Sequence, residues 1–326
     1  MAPQRPIVIQ TLWRTCGTYL AFMLRERNPM ALFYEPLHED YSKFTREEWD
    51  AFAQQGADIP RGHPRKAFHY LTDFPFVPGA GVLNHRPEFA WRPFVMQTDA
   101  VAPDLQTYLE GLVGYAEAEA KTPLFKFCRG FLRQPWLARV LAPLTIYLVR
   151  RPAGMLKSCR RLNSGAYFFS GFIRILCLNK TEPAFAPLYN RLIGLNPGLE
   201  RLSADDLYSE HLHQSVSQET MQDIVLFFWA LGLAMHCNTD ALILEANDFC
   251  ESKTRTARAI GEHTGLDANF HDAMALDPDE SGIVAFTEPS FANYTREAIA
   301  ILAPNADYSG LQRGLAHQFE GLGGNV

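Results

Sequence analysis

A chain of 326 residues, 47% hydrophobic and 20% charged, has ordinary globular composition and enough apolar material for a sizeable core. Its 36 acidic against 30 basic residues give a formal charge of −6, which argues against a general nucleic-acid or anionic-membrane binder. Any anionic ligand must be met by a local cluster of Arg and Lys.

Taken in order, the first candidate strand is the β-branched run Ile7–Gln10. A polar turn over Thr11–Thr18 follows, then a predicted helix Gly17–Glu26 with Leu20, Met23 and Leu24 on one face and Asn28-Pro29 as its stop. Strand, tight turn and helix is the layout of a phosphate-binding loop. The Walker pattern G-x-x-x-x-G-K-[ST] is absent, however, and the basic residue, Arg14, precedes the glycine. A second strand is predicted at Ala31–Tyr34. The stretch from 56 to 95 is dense in Pro, Gly and aromatics and reads as an irregular insertion over one face of the sheet. It either lines a pocket or is a surface excursion.

Helix Leu105–Ala118 comes next, then strands Leu124–Phe127 and Thr145–Val149 and helix Ala153–Leu162. Helix Asp223–His236, strand Ala241–Leu244 and helix Lys253–Thr264, ended by Gly265, complete the pattern. Leu276–Ser290 reads as a loop and the final FEGLGGNV as a frayed tail. Alternating strands and helices, with no internal repeat, predict a single α/β domain over 1–326 with a central, mostly parallel sheet flanked by helices.

Cysteines 16, 128, 159, 177, 237 and 250 are dispersed, with no C-x-x-C, which predicts free thiols and a cytoplasmic setting. No secretory h-region fits near the start. The longest apolar run, Ile224–Met235, is too short to span a bilayer and reads as a buried helix. No metal site emerges, since His211 and His213 have no convergent third ligand.

Polar residues follow at the carboxyl ends of the predicted strands: the turn at 11–18, Glu35, Lys126 with Arg129, Arg150, and Glu245 with Asn247. Parallel sheets bind ligands outside those ends. One crevice is thus expected to collect Arg14, Glu35, Lys126, Arg129 and Arg150. A second informative stretch is TIYLVRRPAGMLKSCRRL, residues 145 to 162. Pro152 is placed to open a helix and Ser158 stands eight residues after Arg150, so Arg and Ser can grip one phosphate.

The two stretches together resemble the PAPS-dependent sulfotransferases, bacterial and carbohydrate-type members included. The family's first loop, roughly [KR]-S-G-T-T-[WL], is matched by Arg14, Thr15, Cys16, Gly17, Thr18 and Tyr19. Its 3′-phosphate element, Y-x-x-R-[ND]-P-x-x-x-x-x-S, is matched by Tyr147, Arg150, Arg151, Pro152 and Ser158. FYEPL at 33–37, the run from Leu124 to Pro152, and ALILEANDF followed by a helix and TGL also agree in order. Departures are Cys16 for Gly, Gly17 for Thr, Arg151 for Asn or Asp, and a missing C-terminal R-K-G element.

The resemblance implies a three-layer P-loop NTPase-like fold and transfer of a sulfuryl group from 3′-phosphoadenylyl sulfate (PAPS) to a small-molecule, lipid or carbohydrate hydroxyl. PAP is the product, and no metal is required. In that reading Arg14 sits on the leaving phosphate, Thr15 to Thr18 and Tyr19 contact the donor, and Tyr19 stacks on adenine. Arg150 and Ser158 hold the 3′-phosphate. Glu35, at a strand end and pre-extended by Pro36, is the expected base, its pKa raised by an apolar wall; His38 is the rival. Lys126 would stabilise charge on the transferred group or form a buried structural ion pair. Arg151, Arg160 and Arg161 read as a solvated basic rim. The alternatives are a P-loop nucleotide kinase or NTPase with a divergent loop, and a non-catalytic nucleotide-binding module.

Overall fold

The computed structural model describes residues 5–54, 71–160, 165–209, 211–273, 284–309, 311 and 315. Over these, chain order is β1 (Ile7–Thr11), α1 (Gly17–Arg27), β2 (Met30–Tyr34), α2 (Arg46–Gln54), α3 (Pro103–Ala118), β3 (Thr122–Phe127), α4 (Gln134–Leu141) and β4 (Leu144–Val149). Then come α5 (Pro152–Arg160), α6 (Gly165–Leu178), α7 (Ala186–Leu195), α8 (Ala204–Leu207), α9 (Gln218–Cys237), β5 (Leu242–Glu245), α10 (Asp248–Glu251), α11 (Lys253–Thr264) and α12 (Pro289–Leu302). The fold is α/β, with five parallel strands in the order β2-β3-β1-β4-β5 and flanking helices. β1 is its pivot: Ile9 registers with Lys126 of β3 on one side and Ile146 of β4 on the other. The chain leaves β1 toward β2 and later crosses to β4, so the turn after β1 lies at the topological switch point.

The chain divides into two compact units. One comprises Met1–Thr11, Cys16–Leu148 and Asp248–Ala273. Here β1 is buried at every position, which is why its sequence runs apolar without alternation. Of its polar members, Gln10 donates from Nε2 to Gln134 Oε1 of α4, whose amide in turn donates to Thr145 Oγ1 at 3.2 Å. On one face Phe33, Phe125 and Phe127 pack with Tyr108 and Trp136. The part of the expected insertion that is described, 71–95, belongs to this core. Phe74 meets Phe33 edge-on at 5.3 Å and Phe89 stacks on Tyr108 at 5.6 Å, so it is no mere surface excursion. Its segment 56–70 lies outside the described residues.

The second unit comprises Leu12–Thr15, Val149–Asn247 and Met274–Val326. Its axis is α9, apolar all round and therefore central. By length and composition α9 could cross a membrane, but 89% of its apolar window is buried within the protein. Phe228 of α9 stacks on Phe172 of α6 at 5.2 Å. The Ala246 N–H donates to the Val149 carbonyl at 2.8 Å, tying the turn after β5 to the end of β4.

All five strands begin and end within two residues of their predicted bounds. α9 starts five residues before its predicted start, because Ser217 caps it by accepting from the Thr220 N–H at 3.2 Å. That polar first turn hides the helix from an apolar-run reading. α2, α6, α7, α8, α10 and α12 were not foreseen; α12 begins at Pro289, within the expected loop Leu276–Ser290. Residues 161–162 of the expected helix, Arg161 among them, 276–283 of that loop and the C-terminal tail lie outside the described residues.

α12 is tethered by Asp223 of α9, whose carboxylate accepts from the Thr287 N–H and hydroxyl at 2.7 Å each and from the Glu288 N–H at 3.1 Å. Asp223→Ala orphans these donors and is expected to cost about 2–3 kcal/mol, read as a lowered urea midpoint. An unchanged midpoint would show that the tether carries no stability.

Candidate functional site

The sequence-predicted residues fall into two clusters, one in each unit. In the first unit, β2 and β3 register Tyr34 against Lys126, so Glu35 is the first residue past the strand. Its N–H donates to the Lys126 carbonyl at 2.7 Å and its φ is +48°, a left-handed conformation unusual for a non-glycine residue. That turn swings the carboxylate onto β3. Glu35 Oε1 pairs with Lys126 Nζ, and Oε2 accepts from the Cys128 N–H at 2.9 Å. Lys126 is only 3% exposed, and its ammonium also donates to Cys128 Sγ at 2.8 Å and lies 4.8 Å from the Tyr34 ring centre.

Lys126 is thus the buried ion-pair partner of Glu35, and it lies inside β3 rather than past its end. The expectation that surroundings raise the Glu35 pKa is corrected. Burial does push it up, but Lys126, Arg129 and the Cys128 hydrogen bond outweigh burial and hold it below the ordinary value. Glu35 is ionised at neutral pH. Burial would depress Lys126, yet Cys128, Glu35 and Tyr34 hold it well above its ordinary value. Burial and Glu35 push the Cys128 thiol up to about 12, so it stays protonated. His38, the rival base, is lowered by burial despite Glu39 and Asp40, and its ring stacks on Tyr41 at 5.3 Å.

Gly17, Thr18 and Tyr19 belong to the same unit. A Cβ on Gly17 would stand 2.7 Å from Thr11 Cγ2 and 3.0 Å from Lys126 Cε, so glycine is what lets the loop close on the lysine. Thr18 Oγ1 and the Tyr34 hydroxyl are hydrogen bonded at 2.8 Å. Tyr19 lies 6.1 and 6.3 Å from Phe249 and Phe270, and its hydroxyl donates to Asp272 at 2.7 Å.

The second unit joins the other predicted residues. Arg14 Nε donates to Ser158 Oγ at 3.0 Å, and Arg150 Nη1 donates to the Arg14 carbonyl at 3.0 Å. Residues 136 and 144 positions apart thus converge on one turn. The Thr15 hydroxyl donates to the Leu12 carbonyl at 2.8 Å and so braces the turn. Trp13 packs edge-on against Phe172 at 4.8 Å, with Gly171 of α6 leaving room for its ring. Arg150 is fixed from behind, its carbonyl accepting from Trp229 Nε1 at 2.9 Å. Arg151 does not belong to a solvated rim: its Nε lies 2.6 Å from the buried Glu245 carboxylate.

Two residues of the turn, Arg14 at φ +66° and Cys16 at +63°, hold left-handed backbone without being glycine. Each such residue costs on the order of 1 kcal/mol and persists only where its surroundings enforce it. Cys16 is the N-cap of α1, and its side chain makes no capping hydrogen bond.

Several contributors escaped sequence reading. Glu39, Cys128 and Trp91 surround Glu35 and Arg129, and Arg133 donates to the Phe89 and Pro93 carbonyls at 2.8 Å each. None carries a local pattern, because each partner is remote in the chain or is backbone. Among the described residues there is no group of three or more His, Cys, Asp or Glu side chains placed to hold a metal. No family model matches the chain, and no curated protein does either.

Removing either member of the Glu35–Lys126 pair strands a buried charge, so Glu35→Leu and Lys126→Met are each expected to destabilise by about 3–5 kcal/mol. The double variant should lose less than either single one in chemical denaturation. Because the folded Glu35 pKa is depressed, its stabilisation is present above the ordinary carboxylate range and lost as pH falls through the folded value. Glu35→Gln should flatten that acid-side slope. Separately, Cys16→Gly relieves the left-handed strain and should raise stability by about 1 kcal/mol, whereas Gly17→Ala should lower it.

Proposed function

We propose that the chain is a PAPS-dependent sulfotransferase acting on a hydroxylated acceptor. The observation that carries this reading is the convergence of Arg14 with Arg150 and Ser158, the members of the two sequence elements assigned to the donor's phosphates. A turn at the topological switch point, leading into a helix N-terminus, supports it further.

PAPS supplies a sulfuryl group on a phosphosulfate anhydride. Arg150 and Ser158 are assigned to the 3′-phosphate. Arg14 meets the charge that develops on the leaving 5′-phosphate. The Cys16–Thr18 backbone at the start of α1 provides fixed positive potential. Glu35, ionised at neutral pH, takes the acceptor proton as the new S–O bond forms. Lys126 offsets the charge that Glu35 brings and that the transferred group develops. Tyr19, beside the stacked Phe249 and Phe270 rings, is assigned to the adenine side. The dispersed cysteines, all six of them free thiols, support a reducing, cytoplasmic setting.

Calorimetry with adenosine 3′,5′-bisphosphate against ATP-Mg²⁺ tests the donor assignment. The bisphosphate should bind more tightly, and Arg150→Ala should weaken it by about tenfold or more. ATP binding as well or better overturns the reading. Acceptor libraries with labelled PAPS then test transfer, which Glu35→Gln should abolish while leaving bisphosphate binding in place.

A further inference from the structure

Arg129, only 1% exposed, serves two carboxylates unequally. Its Nη2 lies 3.0 Å from Glu39 Oε2, whereas Nη1 stands 3.8 Å from Glu35 Oε2, outside hydrogen-bonding reach. The Trp91 ring centre, 4.8 Å from the guanidinium carbon, supports it from the side. Glu39 is itself buried and sits in the turn after β2, where the His38 N–H donates to the Glu35 carbonyl at 2.8 Å. One short turn therefore carries both carboxylates that compete for Arg129. A buried guanidinium this close to a carboxylate is drawn into a charge-assisted contact unless a second anion holds it back. Glu39, paired with Arg129 at 3.0 Å, is an anion placed to do so.

We propose that Glu39 is a positioning residue: by holding Arg129 short of hydrogen-bond contact with Glu35, it keeps Glu35 Oε2 able to take a proton from an acceptor hydroxyl. The proposal rests on the base role assigned to Glu35 above. The other titratable groups that act on Glu35 are Tyr34, His38, Tyr41, Lys126 and Cys128. At neutral pH both tyrosines and the thiol are protonated and His38 is uncharged, which leaves Lys126 and Arg129 balanced by Glu35 and Glu39. Neutralising Glu39 breaks that balance in one direction. Arg129 is released toward Glu35, the carboxylate is stabilised, and it becomes a poorer proton acceptor.

Glu39→Gln keeps the side chain's shape and removes its charge. In a crystal structure of the full-length variant, Arg129 Nη1 is expected within hydrogen-bond distance of Glu35 Oε2; an Arg129 still 3.8 Å away overturns the proposal. In solution, the Glu35 carboxyl ¹³C resonance, assigned by its loss in Glu35→Gln, should titrate about 1 unit lower in Glu39→Gln than in the parent. The same comparison in an Arg129→Met background should show no shift. A shift of equal size there means that Glu39 acts on Glu35 directly, and overturns the proposal. Should Arg129→Met fail to fold, the crystal structure decides. With an acceptor in hand, the acid limb of the rate profile should move down by the same amount at unchanged bisphosphate affinity, with Glu39→Asp restoring it. The first two readouts involve no transfer, so a parent chain without transferase activity overturns the function proposed and leaves the positioning result standing.

Discussion

The Glu35–Lys126 ion pair is the constraint around which the first unit is arranged. A carboxylate and an ammonium withdrawn from water lose several kcal/mol of hydration each, and mutual attraction returns that only with good geometry and filled lone pairs. The geometry comes from the strand register that sets Tyr34 opposite Lys126, and from a left-handed Glu35 that turns its side chain back across β3. Cys128 contributes an N–H to the carboxylate and a sulfur to the ammonium. Two apolar residues of similar volume would serve stability as well or better. The pair therefore reads as a device for fixing charge at one end of the sheet.

Much of the architecture was legible because parallel strands buried on both faces are continuous apolar runs, and five such runs sit between turn signals. The strand ends were legible for the same reason: Glu35, Lys126 and Arg150 interrupt or close apolar runs where a charge is costly. Pairing was not legible. Arg151 looked like solvated charge because Glu245, its partner, is 94 positions away in the chain. The Glu35 pKa was misjudged because burial could be inferred from neighbouring residues, whereas the two cations that reverse its effect come from β3 and the turn after it. α6 and α7 escaped because aromatic and glycine-containing helices lack the charged face that marks an amphipathic pattern.

The loop after β1 shows how sequence departures can be compensated in structure. Cys16 occupies a position where glycine would be conformationally cheaper, and Gly17 stands next to it. The structure uses Gly17 for space, against Thr11 and Lys126, and leaves Cys16 to bear the left-handed backbone. The two demands on such a loop, close approach and an unusual φ, are thus divided between neighbouring residues. Thr15 contributes a third element by bracing the turn on Leu12.

That division has a consequence for how the protein meets heat. A glycine-rich loop keeps its shape as one of many conformations it can reach unaided, and it can re-form locally after a disturbance. Here Arg14 and Cys16 hold a conformation that their own side chains disfavour, and Arg14 is held in it by Ser158 and Arg150. The turn has no memory of its own. Its shape is lent by the folded chain, and any loosening of those supports dissolves it while the helices and the sheet still stand. Local opening of the turn is therefore expected to cost less free energy than unfolding of the helices and the sheet.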